Sequence, residues 1–323
     1  MSDHVLVTGG VGFIGSHLVD ALLAREGGAV TVLDKLTYAG SLSNLSGHEN
    51  DPHFRFVHGD VTDAATVEPL VRDADRVVHA AAETHVDRSI AGPAEFVTTN
   101  VIGTYTVLEA CREQDTPLLL VSTDEVYGEN DPAGRFEEDS PIHPRSPYAA
   151  SKASAELLAR SYGITYQLPV WIVRGTNAFG PRQNPEKAIP VFATAAIDGR
   201  PLPVYAEGAQ SREWLFVTDW VAGCLAALDH GEPGDVFNIG GGFELSNLEL
   251  ARKVCALVGV DESLISFVED RPGHDLRYGL VDDRLRTLGW KPAVGFDDGL
   301  SRTIAWYREH RDWVDAMREA AHS

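Results

Sequence analysis

Short apolar runs alternate with helical stretches through the first half of the 323 residues, and a glycine-rich turn follows the first run directly. Together they predict an α/β protein built on a doubly wound parallel sheet. The alternation fades in the second half, which predicts a smaller, discontinuous C-terminal substrate-binding lobe.

Residues 5–8, 30–34, 54–57, 77–80 and 118–122 are apolar or β-branched. They read as buried parallel strands, which need not alternate because both faces are covered. Segments 16–24, 100–113 and 148–162 read as the helices between them; 170–173 continues the series as a sixth strand, and 236–239 adds another. Beyond that, 181–203 is rich in proline, with one helix at 189–198. Segment 245–258 reads as a helix that Ser246 or Asn247 caps, and 300–317 as one helix with aromatic residues along one side. The expected division is a Rossmann-type dinucleotide domain, residues 1–175 with 213–241, and a substrate domain, 176–212 with 242–323. The site is expected in the cleft between them.

Composition removes several function classes. The net charge of −21 has the wrong sign for a non-specific nucleic-acid binder. It favours solubility, and it requires any anionic substrate to be held by a local cluster of donors. Cys111, Cys224 and Cys255 are far apart and form no CxxC pair, so a reducing cytoplasm is expected rather than a disulfide framework. The histidines show no metal-ligand spacing, and no metal is expected. No apolar run reaches the roughly 20 residues of a membrane span. The first strand begins so near Met1 that no signal peptide is expected.

The glycine turn carries the cofactor argument. Gly9, Gly12 and Gly15 stand at GxxGxxG spacing between the first strand and the first helix. Gly9 permits the turn, Gly12 lets backbone approach a pyrophosphate, and Gly15 lets helix and strand pack closely. Asp34 ends the second strand, where a carboxylate accepts both ribose hydroxyls and repels a 2′-phosphate. NAD is therefore expected over NADP, although Lys35 beside it is able to tolerate a phosphate. Asp60 and Val61 are placed to hold adenine, and a helix cap is an equal reading of Asp60.

Two constellations carry chemistry. Tyr148 and Lys152 form a Tyr-x-x-x-Lys pair, which a helix puts on one face. The neighbouring ammonium is expected to lower the phenol's pKa and make Tyr148 a base, the plain alternative being a surface pair. Thr123, Asp124 and Glu125 end the fifth strand, where reactive groups of such sheets gather. A turn cap or a solvated acidic pair is the plain alternative there.

The segments TGGVGFIGSH, LDKLTYAG, HGDV, HAAAETHVDRSI, STDEVYG, SPYAASK, NPEKAIP, REWLFVTD and DRPGHDLRY together resemble dTDP-glucose 4,6-dehydratases, enzymes of the extended short-chain dehydrogenase/reductase group. The resemblance runs from about Val5 to about Tyr307. It implies that Tyr148 takes the C4 hydroxyl proton while hydride passes to NAD, that Lys152 tunes Tyr148 and holds the nicotinamide ribose, and that Thr123 bonds the C4 oxygen. It further implies that Glu125 removes the C5 proton and Asp124 protonates the departing C6 hydroxyl, before hydride returns to C6. Phe13, Ile14, Thr37, Ala80, Ala82 and Thr99 join the cofactor residues. Thr84 and His85 line the hexose, and Asn177, Lys187, Arg212, Asn247, Arg271 and His274 bind the nucleotide sugar. A homodimer through 100–113 and 148–162 is implied as well.

Where the family reads close to RCSNNYGPYQFPEK, this chain reads RGTNAFGPRQNPEK. The differences at Gly175, Thr176, Ala178, Phe179, Arg182 and Asn184 are expected to change the substrate pocket and to leave the redox and dehydration residues intact. A UDP-sugar 4-epimerase or a UDP-glucuronate decarboxylase eliminates no water, so Asp124 and Glu125 argue against both. A silent NAD-sensing scaffold has no need of Tyr148, Lys152, Thr123, Asp124 and Glu125 together.

Overall fold

The computed structural model describes residues 3–131, 134–270 and 275–322. Strand β1 (Asp3–Thr8) leads through the glycine turn into α1 (Phe13–Leu23) and β2 (Gly28–Asp34). Then come β3 (Phe54–His58), α2 (Ala64–Arg72), β4 (Arg76–His79) and the short helices α3 (Val86–Ala91) and α4 (Pro93–Phe96). A π-helical stretch, Val97–Gly103, runs into α5 (Thr104–Gln114), followed by β5 (Leu118–Thr123), α6 (Pro147–Tyr166) and β6 (Val170–Gly175). After β7 (Asn177–Phe179), α7 (Ala188–Ile197), β8 (Leu202–Tyr205), β9 (Ser211–Phe216) and α8 (Val217–His230), strand β10 (Val236–Ile239) returns to the main sheet. The chain ends with β11 (Glu244–Ser246), α9 (Asn247–Val258), β12 (Ile265–Val268), α10 (Asp283–Thr287), α11 (Phe296–Glu309) and α12 (Arg311–His322).

Seven strands pair in the order β10–β6–β5–β4–β1–β2–β3, every neighbour parallel. Strand alternation builds two cores from one sequence run: Val5 and Val7 enter the cluster on one face, and Leu6 enters the other. The same split sends Leu119 and Val121 one way and Leu118 and Leu120 the other. The strand order reverses between β1 and β4, so their C-terminal ends open a crevice. A three-stranded sheet, β11–β9–β7, and the parallel pair β12–β8 cover that end with their own apolar cluster.

Two elements differ from the sequence reading. The helix expected at 100–113 begins with the π-helical stretch, whose wider turn is frequent at functional sites. The single helix expected at 300–317 is broken at His310, where backbone N–H and ring Nδ1 both meet the Trp306 carbonyl, at 3.0 and 2.9 Å. The His310 ring also stacks on Trp306 at 4.4 Å, which fixes the corner between α11 and α12. Helix α9 takes Ser246 as its cap, in a reciprocal capping box with Glu249. Among the described residues, no helix is long and apolar enough to cross a membrane, and no cluster of three His, Cys, Asp or Glu is placed to hold a metal.

Candidate active site

The crevice is a cavity of about 520 Å³, within the size range of small-molecule sites. At its floor, Gly9 has a φ of +72°, and a Cβ on Gly15 would lie 2.0 Å from the Gly9 carbonyl. Only glycine allows strand and helix to meet so closely. Gly12, Phe13, Ile14 and Gly15 form the cavity wall at the start of α1, where N–H groups without helical partners favour an anion. Asp34 accepts N–H from Val11 at 3.1 Å and from Leu36 at 2.9 Å, which leaves each carboxylate oxygen a further lone pair. The residues present therefore fit NAD. Lys35 is turned to Asp60 at 2.9 Å, so the charge that could have served a 2′-phosphate already has a carboxylate partner. Asp60 also accepts the Thr62 N–H at 3.0 Å. Asp63, not Asp60, caps α2. Thr37, Val61, Ala80, Ala82 and Thr99 line the same cavity.

The catalytic candidates converge at the end of β5. Thr123 caps a 3₁₀ turn, Asp124–Tyr127, and its hydroxyl is hydrogen-bonded to Tyr148 at the start of α6. Asp124 is buried, and its Oδ2 has no hydrogen-bond partner. Burial, then the charges of Glu125 and Glu213, push its pKa up to about 8 against the opposing pull of Arg212. Asp124 is thus a protonated acid at neutral pH, although its neighbour Glu125 is a carboxyl of nearly the same kind. Glu125 is half-buried on the cavity wall.

The Lys152 ammonium donates to the Val121 carbonyl at 2.7 Å. In the free protein, burial and the charge of Glu125 hold the Tyr148 phenol well above its ordinary value. Burial brings Lys152 itself down to about 8.

Thr84, His85, Asn177, Lys187, Arg212 and Asn247 all line the outer part of the cavity; Arg271 and His274 lie outside the described residues. Lys187 Nζ donates to the Thr84 carbonyl at 3.0 Å. Burial and nearby Lys187 keep His85 below its usual pKa. Arg212 donates to the carbonyls of Ser211 (2.7 Å) and Asp275 (2.9 Å), and its guanidinium lies 4.7 Å from the Tyr278 ring centroid. Carbonyl partners hold the group still without neutralising it, which suits a phosphate.

The divergent 175–184 segment splits in two. Gly175, Thr176, Ala178 and Asn184 face the cavity. Arg182 instead reaches Asn44 O at 2.8 Å, His17 Nδ1 at 2.8 Å and Asp20. It clasps the segment to α1 and holds His17 neutral, with a pKa lowered to about 4 by burial and Arg182. Sequence reasoning missed this clasp, and it missed Asn100. The Asn100 side chain holds the backbone of Glu83 on both sides, at 2.8 and 3.0 Å, and donates to Ser151 at 2.8 Å. The available signal was an asparagine one helical turn before Thr104 on the buried face of that stretch.

A glycine cradle that opens onto a strand-end acid–base set and a cationic outer rim defines a nucleotide-sugar-modifying enzyme of the short-chain dehydrogenase/reductase class. The chain belongs to the GDP-mannose 4,6 dehydratase family, whose model matches residues 6–303. It is 51% identical over 304 residues to the low-salt glycan biosynthesis protein Agl12 of Haloferax volcanii, covering 94% of this chain and 98% of that one. It is 47% identical over 321 residues to a dTDP-glucose 4,6-dehydratase of Streptomyces niveus, covering 97% and 95%. Among solved structures, the dTDP-glucose 4,6-dehydratase DesIV of Streptomyces venezuelae, crystallised with NAD, superposes with a TM-score of 0.95 at 48% identity, over 97% of this chain and 99% of that one.

Proposed function

We propose that this protein is an NAD-dependent dTDP-glucose 4,6-dehydratase, a hydro-lyase of deoxysugar biosynthesis that forms dTDP-4-keto-6-deoxyglucose. One observation carries the reading: Tyr148, Thr123, a buried Asp124 and Glu125 meet in one cavity with the glycine turn and Asp34. Relatives of that activity match over nearly the whole chain.

Bound NAD supplies the hydride acceptor for C4, the donor that later reduces C6, and a positive charge in the same cavity. Tyr148 takes the proton of the C4 hydroxyl, and Thr123 steers the C4 oxygen. The phenol's raised pKa in the free protein means that it becomes a competent base only in the loaded site. A ketone at C4 acidifies the C5 proton, which Glu125 removes. Asp124 gives its proton to the C6 hydroxyl, which leaves as water, and the proton held by Glu125 returns to C5 as C6 is reduced. Lys187, Arg212 and Asn247 hold the nucleotide diphosphate, and Thr84, His85 and Asn177 face the hexose. Asp124 is suited to the acid's part because burial raises its hold on the proton.

Incubation with dTDP-glucose is expected to give a product lighter by one water in the mass spectrum. A product of unchanged mass would instead indicate epimerisation, and no turnover would remove the enzymatic reading.

The lobes are proposed as 1–175 with 213–241, and 176–212 with 242–323. The three cysteines are buried thiols, in keeping with a proposed cytoplasmic location. A homodimer is proposed through the outer faces of the π-helical stretch with α5 and of α6. Leu157 and Ile164 are 58% and 75% exposed there, beside exposed Val97, Ile102, Tyr105 and Tyr166. Such a face is costly to leave in water. Sedimentation is expected to report twice the chain mass, and a monomer at micromolar concentration would remove the proposal.

A further inference from the structure

Behind the cavity wall lies a buried carboxylate that no step above uses. Glu156 sits on α6 one turn beyond Lys152, which is itself one turn beyond Tyr148, so the three share a face. Glu156 is fully buried. One oxygen accepts the Ser122 hydroxyl, and the other accepts Arg174 Nε and Nη2 at 2.9 and 2.7 Å. Ser122 directly precedes Thr123, Asp124 and Glu125. Arg174 Nη1 in turn donates to the Tyr127 hydroxyl at 2.7 Å and to the Glu138 carbonyl at 3.0 Å. Tyr127 closes the 3₁₀ turn that Asp124 opens, and its own hydroxyl donates to Asn238 at 2.8 Å. The catalytic turn is therefore tied to Glu156 at its entry through Ser122 and at its exit through Arg174 and Tyr127.

We propose that Glu156 is a positioning residue for the reaction, locking the elimination pair Asp124–Glu125 to the redox pair Tyr148–Lys152 through one buried carboxylate. The inference rests on the catalytic roles proposed above. Stability alone does not account for the arrangement, because the cost of drying a buried ion pair often equals its attraction. Spacing does: Tyr148, Glu125 and Asp124 must address three adjacent sugar carbons, and a misplacement of about 1 Å costs up to about 100-fold in rate. Glu156 also acts on Lys152 by charge, as the neighbour that raises the ammonium's pKa against its burial.

The test uses the full-length protein with NAD and dTDP-glucose, following NADH by absorbance and water loss by mass. Ser122→Ala cuts the entry tie and leaves the ion pair whole. It is expected to form NADH at the normal rate but to lose water at least about tenfold more slowly, so that NADH accumulates. Glu156→Gln is expected to do the same and also to move the alkaline limb of NADH formation to lower pH, because the Lys152 ammonium beside Tyr148 loses its neighbouring charge. Glu156→Asp restores the charge and is expected to restore the limb while elimination stays slow. Should Glu156→Gln fail to fold, Ser122→Ala and Glu156→Asp decide the matter. A merely structural brace would lower the melting temperature and leave both the limb and the NADH balance where they were. Unchanged elimination in Ser122→Ala, with an unmoved limb in Glu156→Gln, would overturn the positioning role alone. A wild-type protein that never forms NADH would instead remove the catalytic roles on which it rests.

Discussion

Tyr148→Phe is expected to abolish NADH formation from dTDP-glucose while leaving NAD bound. The side chain keeps its ring and its place against Phe96, at 6.3 Å between centroids, so the fold loses only a hydroxyl. That hydroxyl is the group bonded to Thr123 at the point where the C4 oxygen must sit. A positioned acid or base contributes about 10²–10⁴-fold, and here nothing downstream can begin without it. Neither the C5 proton nor the C6 hydroxyl is labile before C4 is a ketone. The variant should therefore show no NADH absorbance in a single turnover and no product of lower mass. Lys152 gives no substitute base, since its Nζ is engaged with the Val121 carbonyl. Rapid reduction of NAD by this variant would show that a different group takes the proton.

Glu125→Gln separates the two halves of the reaction. Oxidation at C4 needs Tyr148, which the substitution leaves in place, so NADH should form. Elimination needs a base for the C5 proton, and glutamine is none. NADH should then persist, with water loss slowed by about 10²–10⁴-fold. The pH dependence carries a second signature. Asp124 holds its proton up to about pH 8, partly because the charge of Glu125 opposes its ionisation. In the wild type, elimination is expected to fall above that value, as the acid loses the proton it must donate. Removing the Glu125 charge lowers the Asp124 pKa, so the residual elimination in Glu125→Gln should fall at a lower pH. Elimination at the wild-type rate, with an unmoved alkaline limb, would free Glu125 from the mechanism.

Both expectations depend on features that sequence revealed unequally. The seven strands of the main sheet follow from short apolar runs, and the cofactor site follows from three glycines and an aspartate at strand ends. Tyr148 with Lys152, and Thr123 with its two acidic neighbours, are likewise local patterns. Their ends were less legible. The expected helix at 300–317 ignored the His310 corner, which arises when an imidazole and a backbone N–H meet one carbonyl.

The identity of the reacting groups was written in the order of residues, because each group is a side chain next to a recognisable turn or one helical turn from a partner. Their working state was decided only by packing. Asp124 becomes an acid because the folded chain dries it and sets Glu213 near it. Lys152 finds its partner in the Val121 carbonyl, and Arg182 clasps Asp20 across 162 positions instead of facing the sugar. Proton affinity and partner choice depend on burial and on residues distant along the chain, and neither quantity exists until the lobes and the sheet have assembled.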